Sequence, residues 1–188
     1  MITETIVSTI NEKGEVNFAP MGVVIEAERI LLRPYKEATT YQNLLTTRQG
    51  VVHITDNVLI FAESAVSSPH FESFPAECIQ GFVMKDTCYY YEFIVSEVDC
   101  SRERGKFMAR IVKRGRLRDF IGFNRAKNAV IEAAILATRI KFIGVEKILE
   151  KFEEYAIIVK KTGGAQEEQA MEYLINYVKR ATDSDLTT

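Results

Sequence analysis

Two short stretches of this chain carry residue types that could hold a ligand. Arg33-Pro34-Tyr35-Lys36 leads into Glu37-Ala38-Thr39-Thr40-Tyr41-Gln42-Asn43-Leu44. Arg33 offers a fork of donors and Lys36 a point charge. Thr39 and Thr40 offer hydroxyls at the start of a helical pattern. Cations, hydroxyls and helix N-terminal amides are what a phosphate monoester calls for. About twenty residues earlier stands Asn17-Phe18-Ala19-Pro20-Met21-Gly22. Ala19, Pro20 and Gly22 are small enough to let another group approach the backbone. Met21 can lay a polarisable sulfur on a flat ring. The plain alternative is a capped helix with surface charges, preceded by an edge strand with a structural proline. No Ser/His/Asp arrangement, paired-carboxylate signature or phosphate-loop glycine pattern is present, and two histidines with three scattered cysteines (Cys78, Cys88, Cys100) argue against a metal site.

The elements that must position these residues can be read from periodicity. Thr3 to Ile10 reads as a strand and Asn11 to Gly14 as a turn. Val16 to Glu26 is a second strand, where Pro20 marks an edge or a bulge because it gives the ladder no donor. Arg29 to Arg33 is a third strand, and Glu37 to Arg48 has helical spacing. Val51 to Thr55 returns to β structure. Val58 to Ala62 reads as β, or as a strand followed by a helical turn. Ser64 to Glu77 is the expected long loop. Gly81 to Val98 is β-rich and should pair with Arg104 to Lys113 as a hairpin. From Asn124 the pattern becomes helical, over Asn124 to Ile143, Glu146 to Val159 and Gln166 to Arg180. The expected class is mainly β with α: a barrel over 1–119, a helical subdomain packed on it over 120–180, and a polar tail over 181–188.

The chain has 188 residues, of which 47% are hydrophobic and 27% charged, and a formal net charge of -2. These values fit a soluble globular protein with a core and give no overall drive toward nucleic acid. The odd cysteine count argues for a reducing cytoplasm. The first residues lack a basic region and do not read as a signal peptide. No window of about eighteen residues is free of charge, so no membrane span is expected. Arg102 to Arg118 holds eight Lys/Arg and one acid, Glu103. It suggests a basic groove, or a hairpin with solvated cations, the reading favoured by the overall charge. Asn124 can cap the first long helix, and Arg125, Glu132 and Arg139 repeat along one face.

The order and spacing of Asn17 to Gly22 and Arg33 to Leu44 resemble the FMN-binding split barrels related to flavin reductases, and the whole chain resembles an archaeal branch of that superfamily. The resemblance implies a split β-barrel with the flavin ring against Asn17, Ala19, Pro20, Met21 and Gly22. It implies the phosphate near Arg33, Lys36, Thr39 and Thr40, with Asn43 holding the corner or touching the ligand. Gly122 to Ala126 is also family-like, so Asn124 and Arg125 are candidates to complete the pocket. Related sequences tend to carry Asn where His53 stands. His53 departs from that pattern and is expected to be half-buried and hydrogen-bonded. The implied function is that of an FMN-dependent oxidoreductase acting on a small cytoplasmic substrate, as a homodimer. A non-catalytic FMN carrier and a nucleic-acid-binding module are the alternatives. No catalytic side chain is expected, because a flavin supplies the chemistry itself.

Overall fold

The computed structural model describes residues 1–185, with side chains to Ala181. Its chain divides into two compact units. The first comprises Met1–Thr55 and His70–Phe120; the second comprises Asp56–Pro69 and the chain from Ile121 onward.

In the first unit, six strands close into a barrel. They are β1 (Ile2–Ile10), β2 (Val16–Ile25), β3 (Arg29–Leu32), β4 (Gln49–Ile54) and two long strands after a short hairpin. That hairpin is β5 (Ser73–Pro75) and β6 (Phe82–Met84); the long strands are β7 (Tyr89–Asp99) and β8 (Lys106–Arg116). The order around the barrel is β1-β2-β3-β8-β7-β4, all pairs antiparallel. The β1–β2 turn forms where Asn11 Oδ1 accepts from the amides of Lys13 and Glu15, both at 3.0 Å, and Gly14 takes φ 82°. Strand residues alternate between faces. Val7, Val23, Ile30, Leu32, Val52, Phe93, Val95, Phe107 and Ala109 fill the barrel, and Tyr41 and Leu44 of helix α1 (Thr39–Thr46) plug it.

A smaller cluster lies on the other face of the sheet. Val51, Val83 and Tyr90 pack with Phe74, Ala76 and Ile79, so the β5–β6 hairpin covers that face. Tyr90 crosses over Gly115, where an added Cβ would sit 2.0 Å from its ring. Only a glycine on β8 lets the ring lie there.

The second unit is helical. It holds α2 (Val58–Val66), α3 (Arg125–Ala137), α4 (Ile140–Ile143), α5 (Val145–Thr162) and α6 (Ala165–Asp185). The small buried face of α3, Ala126, Ala129, Ala133, Ala134 and Ala137, lets neighbouring helices approach closely around Ile148, Phe152, Leu174 and Val178. Asn124 caps α3 by accepting from the amides of Ala126 (2.8 Å) and Lys127 (3.2 Å).

Three expectations change. Val58 to Ala62 is the first part of a helix, capped by Asn57, whose Oδ1 accepts from the Leu59 amide at 3.0 Å. A continuous apolar run has no period to tell strand from helix. The helix then takes the first residues of the predicted 64–77 loop, and β5 takes the last part. The long helix predicted over Asn124 to Ile143 breaks at Thr138–Arg139 into α3 and α4. Helix α6 continues to Asp185, so the tail expected from 181 is helical as far as it is described, and 186–188 lie outside the described residues.

The recruitment of α2 has a consequence for truncation. A 1–119 fragment keeps α2 but removes α3, α5 and α6, with which Val58 and Ala62 share their core. We expect this fragment to associate through the uncovered apolar face, as multi-angle light scattering would read. A monodisperse, cooperatively folding 1–119 fragment would refute it.

Candidate functional site

The two stretches singled out in the sequence meet in the barrel unit. Asn17, near the start of β2, donates through Nδ2 to Thr40 Oγ1 in the first turn of α1, at 3.2 Å. One turn further along α1, Asn43 Nδ2 donates to Thr9 Oγ1 of β1 at 3.0 Å, both side chains being buried. Helix α1 is thus fixed to β2 and to β1 by one amide–hydroxyl bond each, the bond to β1 being shielded from water. Asn43 holds the corner. Thr40 is buried as well, while Thr39 is exposed and Lys36 half-buried.

Two features leave backbone groups available at this corner. The N-cap residue of α1 is Ala38, which has no side chain able to cap, so among the described residues the first-turn amides have no side-chain cap. Strand β2 pairs with β1 along its length, but β3 reaches only Val24 and Ile25. From Val16 to Val23, one edge of β2 has no strand partner among the described residues. Pro20 lies in this stretch, opposite Ile6, with no break in register. It is therefore the edge proline the sequence predicts, without a bulge. Alternation puts Asn17, Ala19 and Met21 on the barrel side and Pro20 and Gly22 on the opposite side. Met21 packs on the barrel core.

Arg33 goes another way. Together with Tyr35, Asp99, Arg102, Glu103, Arg104 and Lys106 it lines a cleft of about 500 Å³. Tyr35 bridges to Arg104 in the backbone ladder, and the Arg104 guanidinium lies 3.9 Å from the centre of the Tyr35 ring and also bonds its hydroxyl. Hydrogen bonds from Ser101 hold the Asp99 carboxyl below the usual range, with Lys106 and Arg102 adding to the effect.

The basic run divides accordingly. Lys113 pairs with Glu77, Arg114 with Glu28, Arg116 with Asp119 and Arg118 with Asp86. Its N-terminal part, Arg102, Arg104 and Lys106, lines the cleft. The sequence does not show this division, because three of the four carboxylates come from distant segments.

His53 is fully buried rather than half-buried. Its Nδ1 donates to the Ile6 carbonyl and its Nε2 accepts from the Met84 amide, each at 3.1 Å, which defines the neutral tautomer. Burial pushes its pKa down to about 4. It links β1, β4 and β6 behind Phe18 of β2, whose ring lies 6.2 Å from the imidazole. His70 is exposed. Glu92, which the sequence does not single out, is fully buried and accepts from the amides of Glu77 (3.0 Å) and Cys78 (2.6 Å).

In the helical unit, Asn124 has its oxygen in the α3 cap and its Nδ2 on the Thr162 carbonyl at 3.0 Å. Both ends of its amide are thus engaged within the helical unit. Arg125, Glu132 and Arg139 are all exposed. The cysteines are free, with Cys88 buried and Cys78 and Cys100 exposed. Among the described residues no cluster of His, Cys, Asp and Glu could hold a metal ion, and no helix is long and apolar enough to cross a membrane.

A closed antiparallel barrel of this order, with a helix plugging it, defines a class. It is the split barrel of flavin reductase-like proteins. The chain has a TM-score of 0.51 to nitrilotriacetate monooxygenase component B from Bacillus cereus, at 18% identity over 59% of this chain and 67% of that one. It has a TM-score of 0.53 to an FMN-binding protein from Thermus thermophilus, at 17% identity over 61% and 70%. These likenesses concern the fold. The N-terminal profile of DUF447, described as a protein of unknown function, matches residues 3–118, and a second DUF447 profile matches 124–176. The chain belongs to the DUF447 family. An FMN-bound DUF447 protein from Methanosarcina mazei is similar over 94% of both chains, with a TM-score of 0.78 and 28% identity. An uncharacterised protein of Methanocaldococcus jannaschii is 22% identical over 93% of this chain and 97% of its own length.

Proposed function

We propose that this chain binds FMN in its barrel unit and works as a flavin-dependent oxidoreductase on a small cytoplasmic substrate. The observation that carries the reading is the Asn17–Thr40 bond. It joins the strand suited to a planar polar ring to the helix start suited to a phosphate. The FMN-bound family member adds support.

The residues fit the cofactor. The unpaired edge of β2 supplies backbone donors and acceptors for the polar rim of a ring, and the small side chain of Ala19 leaves room beside it. Lys36, Thr39 and the uncapped amides of α1 would hold the phosphate. Bound there, FMN would supply one- and two-electron transfer. The work of the chain is to bind and orient. Thr40 and Asn43 fix α1, and Met21 backs the strand from the barrel side. His53 is engaged on both nitrogens and takes no part in proton transfer. A homodimer, implied by the family resemblance, belongs to the same proposal.

Each charge-assisted phosphate contact is worth about 1.5–3 kcal/mol. Lys36→Ala should therefore weaken FMN by about 10- to 100-fold and leave riboflavin, which lacks the phosphate, nearly unchanged. Thr40→Ala should weaken both, because it releases Asn17. Fluorescence titration of both ligands reads this directly, and equal losses for Lys36→Ala would reject the phosphate assignment. Steady-state assay of the loaded protein with reductant and acceptor then tests turnover. Flavin binding without turnover against any acceptor would favour a carrier.

A further inference from the structure

We propose that the cleft lined by Arg33, Arg102, Arg104 and Lys106 is a second anion site, taking the phosphate or diphosphate group of a small-molecule second substrate. The cleft itself stands on its geometry; calling its ligand the second substrate rests on the flavin reading above.

The basic run is unevenly partnered. Four of its eight cations sit against carboxylates, in the ordinary way of a surface strand. The cations at the cleft do not. Among the described residues no carboxylate lies within ion-pair distance of Arg33, Arg102 or Lys106, and Arg104 is held by the face and hydroxyl of Tyr35. Four cations thus face one concavity against two acids, Asp99 and Glu103. Asp99 is turned to its own loop, where it accepts from the Ser101 amide at 2.9 Å.

Like charges in excess of their counter-charges cost free energy unless an anion joins them. Arginine forks favour planar or tetrahedral oxyanions bound through two contacts at once. A volume of about 500 Å³ lies within the usual range for a small molecule. The cleft is too local for a polymer track, because Lys113, Arg114 and Arg116 further along β8 are paired with acids.

This site differs from the one proposed for the FMN phosphate. Lys36 and Thr39 are not among the cleft walls. The flavin phosphate and the second substrate's phosphate would then be held by separate groups of one unit, so each can be perturbed alone.

The test is calorimetric titration of sodium pyrophosphate into the full chain, with and without FMN. One pyrophosphate per chain is expected, with an affinity unchanged by FMN and falling as salt rises. The exposed double variant Arg102→Ala/Lys106→Ala should bind pyrophosphate at least tenfold more weakly and FMN within twofold of wild type. Lys36→Ala should do the reverse. An unchanged thermal midpoint for the double variant attributes its loss to the site. The proposal is overturned if wild type shows no saturable pyrophosphate binding, or if FMN displaces pyrophosphate one for one, which would make the cleft the cofactor's own phosphate site. Tighter binding of a single-stranded oligonucleotide, lost in the same double variant, would also overturn it. If the chain takes up no FMN yet binds pyrophosphate through Arg102 and Lys106, the flavin reading fails and the anion site stands.

Discussion

Urea unfolding should show this protein losing about 3 kcal/mol of stability between pH 6.5 and pH 4, with His53 as the cause. The imidazole is fully buried, and burial lowers its pKa to about 4. In the unfolded chain it returns to about 6.5. Between those values the unfolded state binds a proton that the native state refuses, so stability falls as pH falls. The full contribution is present above pH 6.5 and is lost by about pH 4, at about 1.4 kcal/mol per pH unit. The structural reason is specific. Nε2 accepts from the Met84 amide, and a protonated ring has no lone pair there. His53→Asn can donate to one side and accept from the other without titrating. It should be less sensitive to pH through this window, even if less stable at pH 7. Carboxylates with lowered pKa, such as Glu167 and Asp99, titrate at lower pH and are common to both proteins, so the difference isolates the histidine. Parallel pH profiles for the two proteins would exclude His53 as the origin.

What could be read from the sequence follows from what is local. The strands of the barrel alternate, the Asn11–Gly14 turn carries its own acceptor, and the Ala-rich face of α3 repeats at helical spacing. The candidate corner was legible too, because strand end, cations and helix start follow in order along the chain. The missing parts depend on distant partners. Val58 to Val66 is apolar on nearly every side, so no period marks it, and its neighbours α3 and α6 lie more than fifty residues on. The basic run looked uniform, although Glu28, Glu77 and Asp86 neutralise part of it from elsewhere. Thr40 looked like a free hydroxyl and is bonded to Asn17 across 23 positions. Glu92 sits in an otherwise ordinary β7, and its partners are backbone amides of a loop, a contact with no signature in residue type.

Glu92 is where a single substitution should be costly. Its carboxylate is fully buried under the 76–81 turn, where it accepts the amides of Glu77 and Cys78, while Lys113 stands opposite in the β7–β8 ladder and pairs with Glu77. Two charge-assisted bonds of about 1.5–3 kcal/mol each are at stake. Truncation removes the acceptor of both amides and empties the buried space the side chain fills. Glu92→Ala should therefore cost about 3–5 kcal/mol, as removing one partner of a buried charged arrangement does. Glu92→Gln keeps one acceptor oxygen but turns an NH₂ toward the second amide, so an intermediate loss is expected. The damage should begin locally. The turn joins β5 to β6, and β6 in turn supplies the Met84 amide to His53 behind the β2 strand. Hydrogen exchange should accelerate first at the Glu77 and Cys78 amides and next at Met84, before the barrel ladder between β1 and β2 opens. If Glu92→Ala stays within about 1 kcal/mol of wild type, or if exchange at residues 77 and 78 is unchanged, the carboxylate does not hold the turn. If instead the whole barrel exchanges at one rate, the hairpin is part of the global folding unit, and losing Glu92 should weaken flavin binding only in proportion to the fraction unfolded.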